Sequence, residues 1–327
     1  MGKEVLNDVP VALIFFNRPD TFKEVFECVR KNRPSKLFLI QDGARESKPE
    51  DAVKVEECRK IASNIDWDCE VVRDYSEINL GCGRRIFTGI SNAFKIVDRL
   101  VIIEDDIVFS DSFLPFCSEL LERYKNDTRI NYISGMNHFG VYKDCPYSYF
   151  FSNAGAIWGW ATWKRVWDDI DWNLDIINDS YIYKTIIRNG APYRSTKGLA
   201  QRAKQLSEDI RKGDNPSIWS FHLLFYAYLE TRINIVPKCN LISNIGLSEG
   251  THISYSYEDL PKEEQALFFG KRYEIGPELI HPKVVFEDRY FNRIQEEFVY
   301  PTGWHKFMRG MEYRMIQIKK FFRGLSR

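Results

Sequence analysis

The sequence predicts an α/β protein whose mostly parallel, Rossmann-like sheet carries helices on both faces and is followed by a C-terminal helical tail. Two observations predict it. Continuous apolar runs of strand length alternate with amphipathic stretches through the first 130 residues, and each apolar run stops at a polar or glycine-bearing cluster.

The first run, Val11-Ala12-Leu13-Ile14-Phe15-Phe16, reads as a strand buried on both faces and ended by Asn17-Arg18-Pro19. A helix follows to about Lys31, with Thr21 and Glu24 in capping-box spacing and Phe22, Val25, Phe26 and Val29 on one face. A second strand, Lys36–Ile40, ends in Gln41-Asp42-Gly43 and precedes a charged helix from Pro49 to Ser63. A third strand, Cys69–Val72, passes through Asn79-Leu80-Gly81 into a helix over 84–97. The fourth, Leu100–Ile103, runs into Glu104-Asp105-Asp106, and a helix opened by Asp111 or Ser112 carries Phe113, Phe116, Leu120, Leu121 and Tyr124. In such sheets ligands bind beyond the carboxyl ends of the strands, which is where these polar clusters fall.

A chain of 327 residues with 44% hydrophobic and 28% charged residues can bury a large core. We expect a catalytic body over 1–260, with a nucleotide-binding half (1–135) and an acceptor half (136–260), and an extension over 261–327. Net charge is zero, but 304–327 holds seven Lys/Arg against one acid. That local excess argues against nucleic-acid binding and for one basic surface. Seven cysteines without a CxxC pair fit reduced thiols. The first residues show neither an apolar signal region nor the myristoylation pattern, which Leu6 breaks, so the expected location is cytoplasmic or peripheral at the inner face of a membrane.

Adjacent carboxylates at Glu104, Asp105 and Asp106 repel one another, so a positive partner is expected between them. All-oxygen ligands suit Mg2+ or Mn2+, with phosphate completing the shell. A capping run before Ser112 is the alternative at this point.

Taken in order, Phe15-Phe16-Asn17-Arg18-Pro19, Leu39-Ile40-Gln41-Asp42-Gly43, Asn79-Leu80-Gly81-Cys82-Gly83-Arg84-Arg85 and Ile102-Ile103-Glu104-Asp105-Asp106 resemble the inverting GT-A family of N-acetylglucosaminyltransferase I. They also resemble bacterial glycosyltransferases of surface-polysaccharide clusters. The resemblance spans Val9 to His252 and rests on the joint order of the motifs. It implies a nucleotide-sugar donor, with a uridine diphosphate sugar favoured. Arg18 would meet a phosphate, Asp42 the nucleobase edge, and Asp106 the metal directly. Glu104 and Asp105 would serve ribose, donor sugar or metal-bound water. Asn17, Asn79 and Gly81 belong to the same donor-binding set. Independently, an arginine fork suits phosphate and an aspartate accepts an imide N–H, although Asp42 equally suits a turn with Gly43. Arg84 and Arg85, at a helix start beside Gly81, suit a diphosphate clamp.

Five of eight tryptophans fall between 158 and 172. Aromatic rings stack on sugar C–H faces, so an acceptor wall is expected, with Trp158 and Trp160 facing ligand and Trp163 and Trp167 in the core. A helix over 219–230 and a strand over 233–237 lead to Gly250-Thr251-His252. By the resemblance His252 completes the metal shell, a mixed N/O set that favours Mn2+. The relatives carry an acid after the tryptophan equivalent to Trp219, as general base for the acceptor hydroxyl, whereas this chain has Ser220. Asp214, His222, Asp168 and Asp169 are the candidates to replace it, Asp214 first because its loop precedes the same helix.

In the tail, Trp304, Met308, Met311, Met315, Ile318, Phe322 and Leu325 form one helical stripe opposite Lys306, Arg309, Lys320, Arg323 and Arg327. The stripe fits an anionic membrane surface, the protein's own core, or the seam of a homodimer. The expected function is sugar transfer to a hydroxyl of a glycan or lipid-linked glycan. Sugar nucleotidyl transfer, and a catalytically degenerate glycan-binding or scaffold protein suggested by Ser220, are the alternatives.

Overall fold

The computed structural model describes residues 4–189, 196–246 and 257–325. It is an α/β structure with a large mixed sheet, most of whose strands are parallel. The first half alternates as expected: β1 (Asn7–Phe15), α1 (Pro19–Asn32), β2 (Pro34–Gln41), α2 (Glu50–Ala62), β3 (Glu70–Tyr75), α3 (Cys82–Ala93) and β4 (Arg99–Glu104). A short β5 (Ile107–Phe109) and α4 (Phe113–Arg123) follow. The second half holds β6 (Ile130–Ser134), β7 (Tyr149–Ser152), β8 (Trp160–Trp163), α5 (Lys164–Trp167), α6 (Ser180–Asn189), α7 (Thr196–Arg211), α8 (Ser220–Leu229), β9 (Ile233–Pro237) and β10 (Ile242–Asn244). The chain continues through α9 (Lys262–Phe268), α10 (Arg289–Val299) and α11 (Gly303–Leu325).

Eight strands form the main sheet in the order β3-β2-β1-β4-β8-β6-β9-β7. The four from β3 to β4 are mutually parallel, with Leu13 opposite both Leu39 and Ile103. β8 runs antiparallel between β4 and β6, and β7 antiparallel beside β9. Val11, Leu13, Leu39, Ile40, Val101 and Ile103 are fully enclosed, which is why these strands read as unbroken apolar runs. The strand order reverses between β1 and β4, and their carboxyl ends open a crevice there. A separate antiparallel pair, β10 with β5, sets Asn244 against Ile107, immediately after the acidic run.

Several local expectations change. Pro19 takes the first position of α1, and Arg18 precedes it without a side-chain cap. The Thr21 hydroxyl turns back to the Arg18 carbonyl, so the capping box does not form. Proline presets the helical φ at the first position, which removes the need for that box. The extension is joined to the preceding residues by side-chain contacts. The Glu274 carboxylate accepts N–H bonds from Asp111 and Ser112, and Phe291 of α10 packs with Tyr142 and Phe150.

α11 settles against the body by its polar side: Arg309 pairs with Glu263 at 2.5 Å and Lys320 with Asp259 at 2.7 Å. Its apolar stripe points away, with Trp304 69% and Ile318 56% exposed. The stripe therefore does not dock on the protein's own core. No helix among the described residues is long and apolar enough to cross a membrane.

Candidate functional site

The crevice between β1 and β4 is a cavity of about 630 Å3, lined by the ends of β1, β2 and β4, the β2–α2 loop and the start of α3. Its floor is an ion cluster. Arg18 reaches across to Asp105 and to Asp106, the latter at 3.1 Å, and the Phe16 N–H donates to the other Asp105 oxygen at 3.1 Å. Burial works against the Arg18 charge, but the two aspartates outweigh it and hold its pKa above the ordinary arginine value.

The three acids do not converge. Successive side chains leaving a strand diverge, so Asp105 turns under Arg18 while Glu104 faces the cavity with no hydrogen-bond donor among the described residues. Burial first, and then the charges of Asp106 and Asp105, push the Glu104 carboxyl up to about 8. Among the described residues no group of three or more His, Cys, Asp or Glu side chains is arranged to hold a metal ion. The donor set still fits an oxygen-seeking divalent ion, because such ions take one or two protein carboxylates and complete their shell from substrate phosphate and water. Glu104, which faces the cavity, and Asp106, paired with Arg18 just behind the cavity lining, are the residues that would hold it. His252 lies outside the described residues. The chain leading toward it is led to the site: the Ile245 N–H donates to the Asp106 carbonyl, and Gly246 packs against the Asp106 side chain.

Asp42 accepts three backbone N–H bonds, from Gly43 at 3.0 Å, Leu80 at 2.8 Å and Gly81 at 2.9 Å. Its pKa is raised by burial, which these bonds oppose. The carboxylate thus clamps the β3–α3 loop onto β2 and builds a cavity wall, which is the turn role. Asn79 reinforces the clamp by donating to the Gly43 carbonyl at 2.8 Å. Gly81 holds φ +77°, and at Gly83 a Cβ would stand 2.0 Å from the Pro216 carbonyl, so the 215–217 loop lies directly on the start of α3. The two arginines separate. Arg85 is buried, donating to the Gln41 carbonyl at 3.1 Å and pairing with Asp74 at 2.7 Å, while Arg84 is exposed and does not line the cavity. The expected clamp of two arginines is not formed, because one helix turn cannot present adjacent residues to the same side.

Residues not foreseen complete the cavity. Buried Asp51, in the first turn of α2, accepts from Asn17 at 2.6 Å and from Arg45 at 2.8 Å. It ties the exit of β1 to the β2–α2 loop, and Asn17 is thereby committed to shaping the site. Arg45 lies over the Phe16 ring at 5.3 Å. Lys48 and Lys54 line the rim and form no ion pair among the described residues. Lys48 belongs to the loop after Asp42-Gly43 and Lys54 to the charged helix α2, and in sequence both resemble any solvated surface.

In the stretch expected to form an acceptor wall, Trp160 is 0% exposed and stacks on Trp219 at 5.7 Å, with Trp163 and Trp167 also in the core. Its place at the first position of central β8 buries the ring under α8, so Trp160 is not a ligand-facing residue. Trp158 is half-buried. His222 is enclosed between Trp172, stacked at 4.8 Å, and Phe87, with its ring nitrogens 2.9 and 3.2 Å from the Trp172 and Trp219 carbonyls. Burial lowers its pKa against those carbonyls, and it acts as a core staple out of reach of a substrate hydroxyl. Asp168 pairs with Lys164 at 2.6 Å and Asp169 with Arg232. Both follow β8 at the end where Trp163 opposes Arg99, away from Glu104, so neither joins the site. Of the four candidate bases only Asp214 belongs to the loop that reaches α3; it is exposed.

No protein-family model matches this chain, and no curated protein matches it.

Proposed function

We propose that this chain is a GT-A glycosyltransferase that moves a sugar from a nucleotide-diphosphate donor, a uridine diphosphate sugar being favoured, to a hydroxyl of a glycan or lipid-linked glycan of the bacterial surface. One observation carries the reading. The sheet's reversal point holds a nucleotide-sized cavity lined by Arg18, Asp105 and Glu104, with Asp106 paired to Arg18 just behind that lining, and with Lys48 and Lys54, which form no ion pair among the described residues, at its rim. Cations at the rim attract a diphosphate, and a carboxylate pair on the floor suits Mn2+ or Mg2+ held against it.

When bound, the ion would neutralise charge on the departing diphosphate. The chain's own residues do the rest. Lys48, Lys54 and Arg18 supply positive potential along the donor, and the Asp42 clamp fixes the wall against which the nucleoside lies. In an inverting transfer the bond from the anomeric carbon to the diphosphate breaks with its electron pair leaving on phosphate. The acceptor oxygen bonds to the opposite face of that carbon, and its proton passes to a carboxylate, for which Asp214 is proposed.

α11 supports a site of action at an anionic membrane surface. Lys319 and Arg314 flank its outward apolar stripe, as in helices that lie in a lipid interface.

Thermal unfolding with a panel of nucleotide-sugars, with and without Mn2+, tests the reading. A ligand at one hundred times its Kd stabilises by about 2.7 kcal/mol. Stabilisation by a uridine diphosphate sugar, losing its Mn2+-dependent part in Asp106→Ala, is the expected result. A flat panel refutes the donor site, and an Mn2+ effect unchanged in the variant refutes the metal role.

A further inference from the structure

A second cleft, of about 700 Å3, opens between α10 and α8 over the face of β6 that carries Tyr132, and it shares no lining residue with the nucleotide cavity. Gln295 of α10 lines it, is 5% exposed, and its side-chain oxygen is buried with no hydrogen-bond partner among the described residues. An amide oxygen enclosed without a donor is costly, and a turn of the Gln295 side chain into the cleft would let a ligand hydroxyl satisfy it. His138 lines the same space, and its ring makes no hydrogen bond among the described residues. The charged lining is balanced, Arg289 and Arg293 against Glu287 and Glu296, so the cleft has no net preference for an anion. Gly155, at φ +152°, lets backbone lie against Tyr132, where a Cβ would stand 2.8 Å from the phenol oxygen.

We propose that this cleft binds a neutral, polyhydroxylated ligand, a segment of glycan, and that it seats the acceptor. Amides, an imidazole and carboxylates offer hydroxyls both donors and acceptors, while Tyr132 and Leu224 offer apolar surface to C–H faces. The cleft lies across α8 from the donor cavity. The 215–217 segment rests on α3 at Gly83, next to Cys82 of the donor cavity, and continues into α8, whose Leu224 forms the cleft's wall. Binding of glycan stands by itself, whereas the role as acceptor seat rests on the glycosyltransferase reading.

The full chain is applied to a printed array of mono- to tetrasaccharides, and the best binder is titrated as free oligosaccharide against wild type, Leu224→Trp, Gln295→Leu and Asp106→Ala. Leu224 is exposed, so Leu224→Trp fills the cleft without disturbing the core and decides alone if Gln295→Leu fails to fold. Both cleft variants are expected to lose at least tenfold in affinity, with Asp106→Ala unchanged. An array without a bound oligosaccharide, or affinity intact in the cleft variants, overturns the proposal. Glycan binding at the cleft without nucleotide-sugar binding would sink the transfer reading alone, and the converse would sink the cleft alone.

Discussion

Gly246→Ala isolates the contact that joins the second half of the chain to the acidic run. The new Cβ would stand 2.4 Å from the Asp106 Cβ, 2.6 Å from one Asp106 carboxylate oxygen and 2.8 Å from the Arg18 guanidinium. An ordinary carbon contact is about 3.5–4.0 Å, so the shortfall exceeds about 1 Å. Neither side yields easily. The Ile245 N–H is bonded to the Asp106 carbonyl at 2.8 Å, the Gly246 N–H to Asn244 at 2.8 Å, and β10 to β5. Overpacking of this kind costs about 1–3 kcal/mol, and part of it goes into parting Arg18 from Asp106. Thermal unfolding should fall by several degrees, and affinity for a uridine diphosphate sugar with Mn2+ by about tenfold, the equivalent of about 1.4 kcal/mol. Gly276→Ala is the control, since its Cβ meets nothing within 4 Å. A Gly246→Ala protein as stable as that control, with unchanged donor affinity, would refute the packing argument and the place of Asp106 in the site together.

Two further predictions concern a pH window and a surface. The Arg45 guanidinium first, then Asn17, hold the Asp51 carboxyl down at about 2, below its ordinary 3.8, so the folded state keeps it ionised. Its contribution is full above pH 4 and lost as pH falls toward 2. Allowing for screening at the half-exposed Arg45, Asp51→Asn should cost about 1–2 kcal/mol in urea unfolding at pH 6 and almost nothing at pH 2; equal losses at both would refute the ion-pair account. For α11, sedimentation with vesicles should show binding to anionic but not to neutral lipid, weakened by salt and abolished in Met311→Glu with Ile318→Glu. Equal binding to both lipids, or a wild-type dimer by light scattering that the double variant dissolves, would assign the stripe differently.

The parallel half of the fold was legible because its central strands, β1 and β4, are buried on both faces, while edge strand β3 is only partly covered. Val11–Phe15 and Leu100–Ile103 have no polar side chain to confuse, and short turns limit where each helix can begin. The other half was harder to place from its pattern. β8 is four residues long, antiparallel between β4 and β6, and its Trp-Ala-Thr-Trp reads as a sugar-binding stretch as readily as a central strand. What decides is the partner across the sheet, and no local spacing reports that. Trp160 opposes Ile102 and Ser134, and that position buries it.

The candidate site was legible as a set of loops and not as a set of roles. Motifs at the ends of β1, β2 and β4 do meet, because parallel strands bring their carboxyl ends to one edge. How their side chains divide the work depends on which backbone groups lie unpaired beside them. Three N–H groups at 43, 80 and 81 need an acceptor, and Asp42 is the only carboxylate these loops present to all three. Asp105 is likewise taken by Arg18 and the Phe16 N–H. Glu104 is the acid left over, facing the cavity with its proton held by burial and by its neighbours' charge. The acids that looked interchangeable in sequence are therefore divided between holding the loops and facing the cavity, and under the proposed function a cation arriving with a diphosphate would meet Glu104 and Asp106 rather than all three.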